Sequence, residues 1–187
     1  MKNLFIIFIL FSFSLSAQKA DKKDEKTKSY NSIINNEVTT DQGLFKVHKK
    51  GDEYYYEIHP SQLNQEMLMV TRIAKTINGI GYGGQKINSQ VLRWQKKNNQ
   101  ILLRIVSYEN IASDSLPIYE SVRNSNFEPI LYAFEIETHN PEDSSVLINV
   151  SPLFNTDVKA LGFPQFRRKS LKITSLDKKR SFIESIK

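Results

Sequence analysis

Alternating hydrophobic and polar residues predict antiparallel hairpins, and the clearest one is centred on Asn98-Asn99. Apolar runs flank this two-residue turn, which needs a positive φ at both positions, a conformation that asparagine tolerates. Pairing outward from the turn brings one set of apolar side chains onto the same face. The predicted core face consists of Leu92, Trp94, Ile101, Leu103 and Ile105.

The stretch from Leu44 to Ile58 predicts a second hairpin. Its turn is placed at Lys50-Gly51, because glycine adopts a positive φ without steric cost. The resulting register sets Val47 opposite Tyr54, Phe45 opposite Tyr56, and His48 opposite Glu53. The aromatic side of the strands would then face the core, and the pair of His48 and Glu53 would lie on the surface.

A third hairpin and several short helices complete the predicted fold. Residues 130–138 and 146–150 alternate in the same way on either side of a polar turn. Ser151-Pro152 and Gly162 are typical of the start and the end of a helix, which predicts a helix over Leu153–Leu161. The fold class is therefore mainly β or α+β, with antiparallel hairpins that form a twisted sheet or partly open barrel and with three or four short helices.

The first 17 residues are typical of an export signal. Lys2 provides the positive charge, Leu4 to Leu15 form the apolar run, and Ser16-Ala17 precede the expected cleavage site. A spanning helix needs about 20 apolar residues. We therefore expect cleavage, no membrane span afterwards, and a location in the periplasm, on the cell surface or outside the cell. Residues 18–29 are highly charged and predict a flexible linker.

Composition narrows the class of protein further. The chain has 187 residues and no cysteine, so it is long enough for a real core and has neither disulfides nor thiol chemistry. A net charge of +6 would suit nucleic acid, but no nucleic-acid motif occurs and exported proteins seldom meet nucleic acid. We therefore expect no nucleic-acid partner and interpret the lysines as solvated.

One glycine-rich segment resembles a cofactor motif. Gly79, Gly81 and Gly84 match the spacing G-x-G-x-x-G, but that motif needs a helix directly afterwards, so that the helix amides meet a pyrophosphate. Residues 85–94 instead predict a strand. We interpret residues 78–84 as a bent loop between strands, and no cofactor-binding residue is predicted.

The histidines show no metal-binding pattern. His48, His59 and His139 lie at separate strand ends or turns, and no two of them have the i, i+4 spacing of a helical zinc site. No metal ligand is therefore predicted.

Paired glutamates are the remaining catalytic candidates. Glu53 with Glu57, and Glu135 with Glu137, share strand faces, and a spacing of two residues sets carboxylates roughly 7 Å apart, within the range of glycosidases. Alternating glutamates are usually the solvent face of a strand, so no catalytic residue is predicted.

Candidate ligand contacts lie in two places. Tyr55 belongs to the tyrosine-rich hairpin, and Gly81, Tyr82 and Gly83 belong to the glycine loop. Tyrosine rings stack on sugars and peptides, although Tyr54 and Tyr56 fall on the predicted core face and are expected to pack.

Five segments occur in an order that resembles one protein family. They are TTDQGLFKVHKKGDEYYYEIHPSQLNQEMLMVTRI, GYGGQ, VLRWQKKNNQILLR, SVRNSNFEPILYAFEI and INVSPLF. In this order they resemble the N-terminal region of large exported bacterial zinc-dependent metalloproteases of metzincin type, in which two domains of unknown function precede the catalytic part. His59 departs from the family pattern, in which Glu-Ile is followed directly by proline. The family's zinc motif H-E-x-x-H, in which two histidines bind the metal and a glutamate activates water, does not occur in residues 1–187.

The resemblance implies two β-rich modules, residues 30–84 and residues 85–187, the second truncated at its C-terminal end. It implies a non-catalytic module that assists folding or positioning of a downstream catalytic domain in the same polypeptide. Zinc would belong to that domain, and this chain alone would hold no cofactor and cleave nothing. The alternative is a free-standing periplasmic or cell-surface module that binds a peptide or glycan through the tyrosine-rich hairpin and the Gly79–Gly84 loop.

Overall fold

A computed structural model describes residues 28–187; the predicted signal peptide and residues 18–27 of the predicted linker lie outside the described residues. Within residues 28–187 the structure contains nine strands. They are β1 (Thr39–Gln42), β2 (Lys46–Lys50), β3 (Glu53–Ile58), β4 (Glu66–Arg72), β5 (Lys86–Lys97), β6 (Gln100–Val106), β7 (Ile130–Glu135), β8 (Thr138–His139) and β9 (Val146–Asn149).

The strands form two antiparallel sheets that pack face to face, which confirms the mainly β class. The five-stranded sheet has the order β1-β2-β3-β9-β8, and the four-stranded sheet has the order β4-β5-β6-β7. The pairing of β3 with β9 sets Tyr56 opposite Ile148, so the first sheet joins strands from the beginning and the end of the described chain.

The described residues also form four short helices, in agreement with the expected three or four. They are α1 (Tyr30–Ile33), α2 (Tyr119–Ser125), α3 (Ser151–Asn155) and α4 (Gln165–Ser170), with single 3-10 turns at Pro60–Gln62, Lys159–Leu161 and Lys178–Arg180. One of the helices, α2, connects two strands. Among the described residues, no helix has the length and apolar character needed to cross a membrane.

The predicted helix over Leu153–Leu161 is wrong, because α3 ends at Asn155 and only a 3-10 turn follows. Thr156 is extended, with φ −122° and ψ 169°. Its hydroxyl donates to the carbonyl of Pro152 at 2.6 Å and so occupies an acceptor of the last turn. A side-chain bond of this kind competes with continuation of the helix.

The hairpin at Asn98-Asn99 is confirmed in register and in face. Lys97 pairs with Gln100 and Trp94 with Leu103, as predicted. Positive φ occurs at Asn98 alone (54°), so the expectation for Asn99 is wrong. The turn therefore has the backbone of a two-residue hairpin with one left-handed position.

The second hairpin forms with a different register. Val47 pairs with Tyr56 and His48 with Tyr55, two positions away from the predicted partners, and the turn lies at Gly51-Asp52. Gly51 has φ +59°, so glycine adopts the left-handed conformation as predicted, but the turn begins one residue later than predicted. Because a shift of two residues keeps every side chain on its face, the predicted core side is still correct.

The third hairpin is only partly confirmed. Residues 130–138 do not form one strand, because β7 pairs with β6 in the four-stranded sheet, whereas β8 pairs with β9 in the other. The chain passes from one sheet to the other at Ile136-Glu137. Ile136 is buried there and links the two sheets through the core.

The core lies between the inner faces of the two sheets. Trp94 on β5 is its centre, with the ring of Phe45 at 6.0 Å in an edge-to-face arrangement and that of Phe134 at 5.6 Å. Buried aliphatic residues of both sheets surround these rings, among them Ile58, Ile101 and Ile148. Burying each such side chain contributes about 1.5–3 kcal/mol, and this packing fixes where the outer faces and the edges of the sheets lie.

Candidate functional site

The outer face of the five-stranded sheet holds a buried carboxylate, that of Glu57 on β3, which is 2% exposed. Its Oε1 accepts from Lys46 Nζ at 2.6 Å and from Asn140 Nδ2 at 2.9 Å. Its Oε2 accepts from Tyr30 Oη at 2.7 Å and lies 2.9 Å from His48 Nε2. These five residues, the Glu57 cluster, join α1, β2, β3 and the turn between β8 and β9.

His48 connects the Glu57 cluster to the edge strand β1, because its Nδ1 lies 2.8 Å from Oγ1 of Thr40. Since the Glu57 carboxylate only accepts, Nε2 is the donor. Hydroxyl, imidazole and carboxylate in this order are also the parts of a catalytic triad. In a triad the carboxylate serves mainly the imidazole, whereas Glu57 is shared among four donors and neutralised by Lys46. The arrangement therefore ties β1 to β2 and β3.

The donors determine the charge of Glu57. Burial would raise the pKa of this carboxyl, but the hydrogen bonds from Lys46, Asn140, Tyr30 and His48 outweigh burial and lower the pKa from 4.5 to about 2. The contact with Glu57 raises the pKa of Lys46. Burial together with the Glu57 contact raises the pKa of Tyr30. At neutral pH the cluster is thus an anion with a cationic partner.

A second polar group lies on the outer face of the four-stranded sheet, where Arg93 and Arg104 are paired across β5 and β6. The Glu128 carboxylate contacts Arg93, and its backbone carbonyl accepts from Arg104 Nη1 at 2.7 Å. Arg104 also donates to Gln95 Oε1 at 2.7 Å and lies 5.0 Å from the ring centre of Phe127. The two arginines therefore anchor the segment that precedes β7.

That segment, residues 107–129, leaves apolar side chains uncovered on the same side of the molecule. Leu68 on β4 is 70% exposed, and Phe127 is 73% exposed. Large exposed apolar patches are uncommon on monomeric proteins and mark contact sites. We define the outer apolar surface as the residues Leu68, Ile111, Leu116, Ile118 and Phe127, each at least 50% exposed.

A cleft of about 590 Å³ lies between β4 and the C-terminal part of the chain. Four consecutive residues of β4, Met69–Arg72, line one wall of this β4 cleft. Neighbouring side chains of a strand point to opposite faces, so a cavity that contacts all four borders the edge of the strand. The apolar residues of the other wall are Leu153, Phe154, Val158, Leu161, Phe163, Ile173 and Leu176.

The candidate ligand contacts named from the sequence lie in different sheets. Tyr55 is on the outer face of β3, 5% exposed, and its Oη donates to Glu53 Oε2 at 2.7 Å. Gly81, Tyr82 and Gly83 belong to the loop between β4 and β5, where the ring of Tyr82 is exposed. The structure therefore does not bring Tyr55 together with the loop.

The glycine loop is followed by a strand, as predicted. β5 begins at Lys86, so a strand and not a helix directly follows Gly84. Gly79, Gly81 and Gly84 have positive φ, and the Gly84 amide donates to the carbonyl of Ile73 at 2.7 Å. The glycines therefore fold the loop back onto the end of β4, where they satisfy the geometry of a tight bend.

Each histidine has its own local partner. The interpretation of His48 as a surface partner of Glu53 is wrong, because the shifted register places His48 in the buried Glu57 cluster. His59 Nδ1 lies 2.7 Å from Ser61 Oγ, and burial together with Lys96 lowers the pKa of His139. In residues 28–187, no group of three or more histidine, cysteine, aspartate or glutamate side chains is placed to hold a metal ion.

The paired glutamates are used in different ways. Glu53 and Glu57 share the outer face of β3, but Glu57 is buried, so its interpretation as a solvent-face residue is wrong. Glu135 accepts from Gln100, and Glu137 pairs with Lys28 at 3.1 Å.

Two sequence families match the chain. The family described as domain of unknown function DUF5118 matches residues 27–76, and the family described as domain of unknown function DUF5117 matches residues 84–187. No curated protein matches the chain, and no solved structure matches it. The second family covers more than half of the 187 residues. The chain therefore belongs to the DUF5117 family, a domain of unknown function.

Proposed function

We propose that this chain is the non-catalytic N-terminal β module of an exported zinc-dependent metalloprotease and that it positions a downstream catalytic domain of the same polypeptide. The descriptions of the two matching families name no activity. The link to metalloproteases comes from the five ordered sequence segments, and the structural support comes from the outer apolar surface.

The outer apolar surface carries this proposal because it is apolar and its surroundings carry no excess of positive charge. Arg93 contacts both Glu128 and Glu66, the latter at 3.8 Å, and Arg123 lies 3.5 Å from Glu120. Residues 107–129, which supply most of this surface, hold four acidic residues and one basic residue, Arg123. Permanent interfaces are more apolar than transient ones, whereas nucleic acid and anionic membranes select net positive surfaces. A permanently attached protein domain fits this surface best.

The Glu57 cluster supports the role of a rigid platform. Its polar atoms are bonded to one another across α1, β2, β3 and the β8–β9 turn. Such a fully bonded buried network restrains the elements that it joins. A platform of this kind would hold an attached domain in a defined orientation.

The simplest test reads the coding sequence beyond codon 187. The proposal expects the frame to continue and to encode H-E-x-x-H. Purified chain should also leave peptide substrates uncleaved when Zn²⁺ is added. Cleavage that a chelator abolishes would refute the non-catalytic role.

The docking surface is tested in that longer protein with the double variant Leu68→Glu and Ile111→Glu. We expect limited proteolysis to separate the module from the catalytic domain more rapidly, because charged residues at an apolar interface lose solvation. Leu44→Glu is the control, since Leu44 is also exposed but precedes β2 in the other sheet. Equal rates for the docking variant and the control would contradict docking through the outer apolar surface.

The alternative is a free-standing module that binds a peptide or glycan. Tyr54 and Tyr55 are buried, so the tyrosine-rich hairpin offers little ring surface for stacking on a sugar. A stop codon directly after codon 187, followed by an unrelated gene, would favour this alternative.

A further inference from the structure

We propose that the β4 cleft binds an extended acidic peptide, which adds to the free edge of β4 as a further strand. The inference does not depend on the proposed docking of a catalytic domain. It uses the backbone edge of β4 and the wall formed by the C-terminal part of the chain, and not the outer apolar surface.

The edge of β4 is available for pairing. β4 is the terminal strand in the order β4-β5-β6-β7, and it pairs with β5 along its whole length. No strand within residues 28–187 pairs with its other side. An open edge presents a row of backbone N–H and C=O groups. An extended peptide satisfies those groups by β-augmentation, which supplies affinity through main-chain hydrogen bonds.

The cleft next to this edge has the size and the lining of a side-chain pocket. Its volume of about 590 Å³ falls within the roughly 300–1,000 Å³ of ligand pockets. Met69, Leu161 and Phe163 are among the apolar residues that line it. The cleft therefore suits an apolar side chain.

The charge around the cleft selects an acidic peptide. Inside the cleft Arg168 and Asp157 neutralise each other through two hydrogen bonds of 2.8 and 2.7 Å. Arg72 donates to the carbonyl of Gly84 at 3.0 Å, and Arg167 lies 5.1 Å from the ring centre of Phe163. Neither Arg72 nor Arg167 has a carboxylate partner among residues 28–187. Arg72 lines the cleft, whereas Arg167 lies beside the lining residue Phe163 and donates to Gln85 Oε1 at 3.2 Å. Arginine binds carboxylates well, so both side chains favour an acidic ligand.

The test uses two fluorescein-labelled eight-residue peptides, one alternating valine with glutamate and the other alternating valine with lysine. Fluorescence anisotropy with the purified chain should show binding of the acidic peptide and not of the basic one. The double variant Arg72→Glu and Arg167→Glu should weaken the acidic peptide on the order of tenfold and gain affinity for the basic peptide. Only a folded variant can gain affinity for the basic peptide. This gain therefore distinguishes a changed binding site from a variant that does not fold.

The matched control is Arg123→Glu with Arg180→Glu, which makes the same change in net charge at exposed arginines outside the cleft. We expect it to retain most of the acidic-peptide affinity. An equal loss in both double variants would show attraction by overall charge only and would overturn the proposal.

Amide hydrogen exchange on the unmodified chain locates the peptide directly. The acidic peptide should slow exchange in residues 67–72 of β4 and leave two other terminal strands, β1 (Thr39–Gln42) and β7 (Ile130–Glu135), unchanged. Absence of binding, or protection of β1 in place of β4, would overturn the proposal.

Discussion

The outer faces of the two sheets are built from the same alternation of residues but are used in opposite ways. On the five-stranded sheet the outer face is sealed, with Glu57 and Leu147 both buried. On the four-stranded sheet Leu102 and Val106 of β6 are buried on the outer face, but Leu68 of β4 is exposed. The comparison teaches that a strand pattern sets which side chains share a face, whereas the segments that cross the sheet decide whether that face meets water.

The difference has a physical cause in the covering segments. α1 lies over the five-stranded sheet and contributes Ile33, which packs against Tyr55 and Leu147. Covering that sheet buries the Glu57 carboxylate, a cost that the four donors offset. Over the four-stranded sheet, residues 107–129 are held by Arg93 and Arg104 but do not cover β4. The sealed face stabilises the fold, and the open face is left for contacts.

The largest effect is expected from Glu57→Gln. This change removes the anion but keeps four donors pointed at the site, and breaking a buried ion pair costs about 3–5 kcal/mol. Urea unfolding followed by the fluorescence of Trp94 measures the loss. Glu53→Gln on the same strand is the control and should cost less than about 1 kcal/mol. Similar losses in the two variants would show that the sealed face does not depend on the Glu57 cluster.

A matched pair of leucines compares the two outer faces directly. Leu147→Ala should lower the free energy of unfolding by about 3 kcal/mol, because Leu147 is 0% exposed and the change leaves a cavity. Leu68→Ala should change it by less than about 0.5 kcal/mol, because the side chain already meets water. Thermal unfolding of both variants measures the two changes in stability. Equal changes would mean that the two faces are covered to the same degree.

The acid stability of the sealed face follows from Glu57. Its pKa in the folded protein, about 2, lies below its unfolded value, so it stabilises the fold above the unfolded pKa and this stabilisation is lost as the pH falls toward 2. The free energy of unfolding should drop by about 2 kcal/mol between pH 5 and pH 3 from this group. Urea titrations at several pH values measure the drop, which Glu57→Gln should largely remove. If Glu57→Gln and the unmodified protein showed the same pH dependence of unfolding, groups other than Glu57 would cause the loss of stability in acid.

The smallest effect on stability is expected for Leu68→Lys with Ile111→Lys on the outer apolar surface. Unfolding should change by less than about 0.5 kcal/mol, while binding of the dye ANS, which reports exposed apolar surface, should fall by about half. Dye fluorescence and urea unfolding are measured on the same samples. A loss of several kcal/mol would show that this surface is part of the packed fold.

The sequence predicted faces better than registers. For the second hairpin two registers, separated by two residues, keep Val47 and Tyr56 on the same face, so the pattern cannot choose between them. The turn makes the choice, and Gly51 fits either a Lys50-Gly51 or a Gly51-Asp52 turn. For the hairpin at Asn98-Asn99, the apolar runs on both sides of the turn were compatible with one register, and the structure has that register.

The Glu57 cluster could not be predicted from the sequence, because its donors come from distant parts of the chain. Tyr30, Lys46 and Asn140 meet only after β3 has paired with both β2 and β9. The available signal was Lys46, His48 and Glu57 on one face of the second hairpin beside Tyr55, a mixture that suggests a covered face. The break at Ile136-Glu137 was equally hidden, since alternation continues through it while the pairing partner changes.

The pairing of β3 with β9 affects how the polypeptide reaches its final form. Tyr55 pairs with Asn149. During synthesis the hairpin of β2 and β3 therefore has an unpaired edge until the ribosome has synthesised β9. The boundary between the two matching families falls between these strands. A cut there would leave three of the five strands of that sheet in one fragment and two in the other, and we expect the two fragments to become ordered only when mixed.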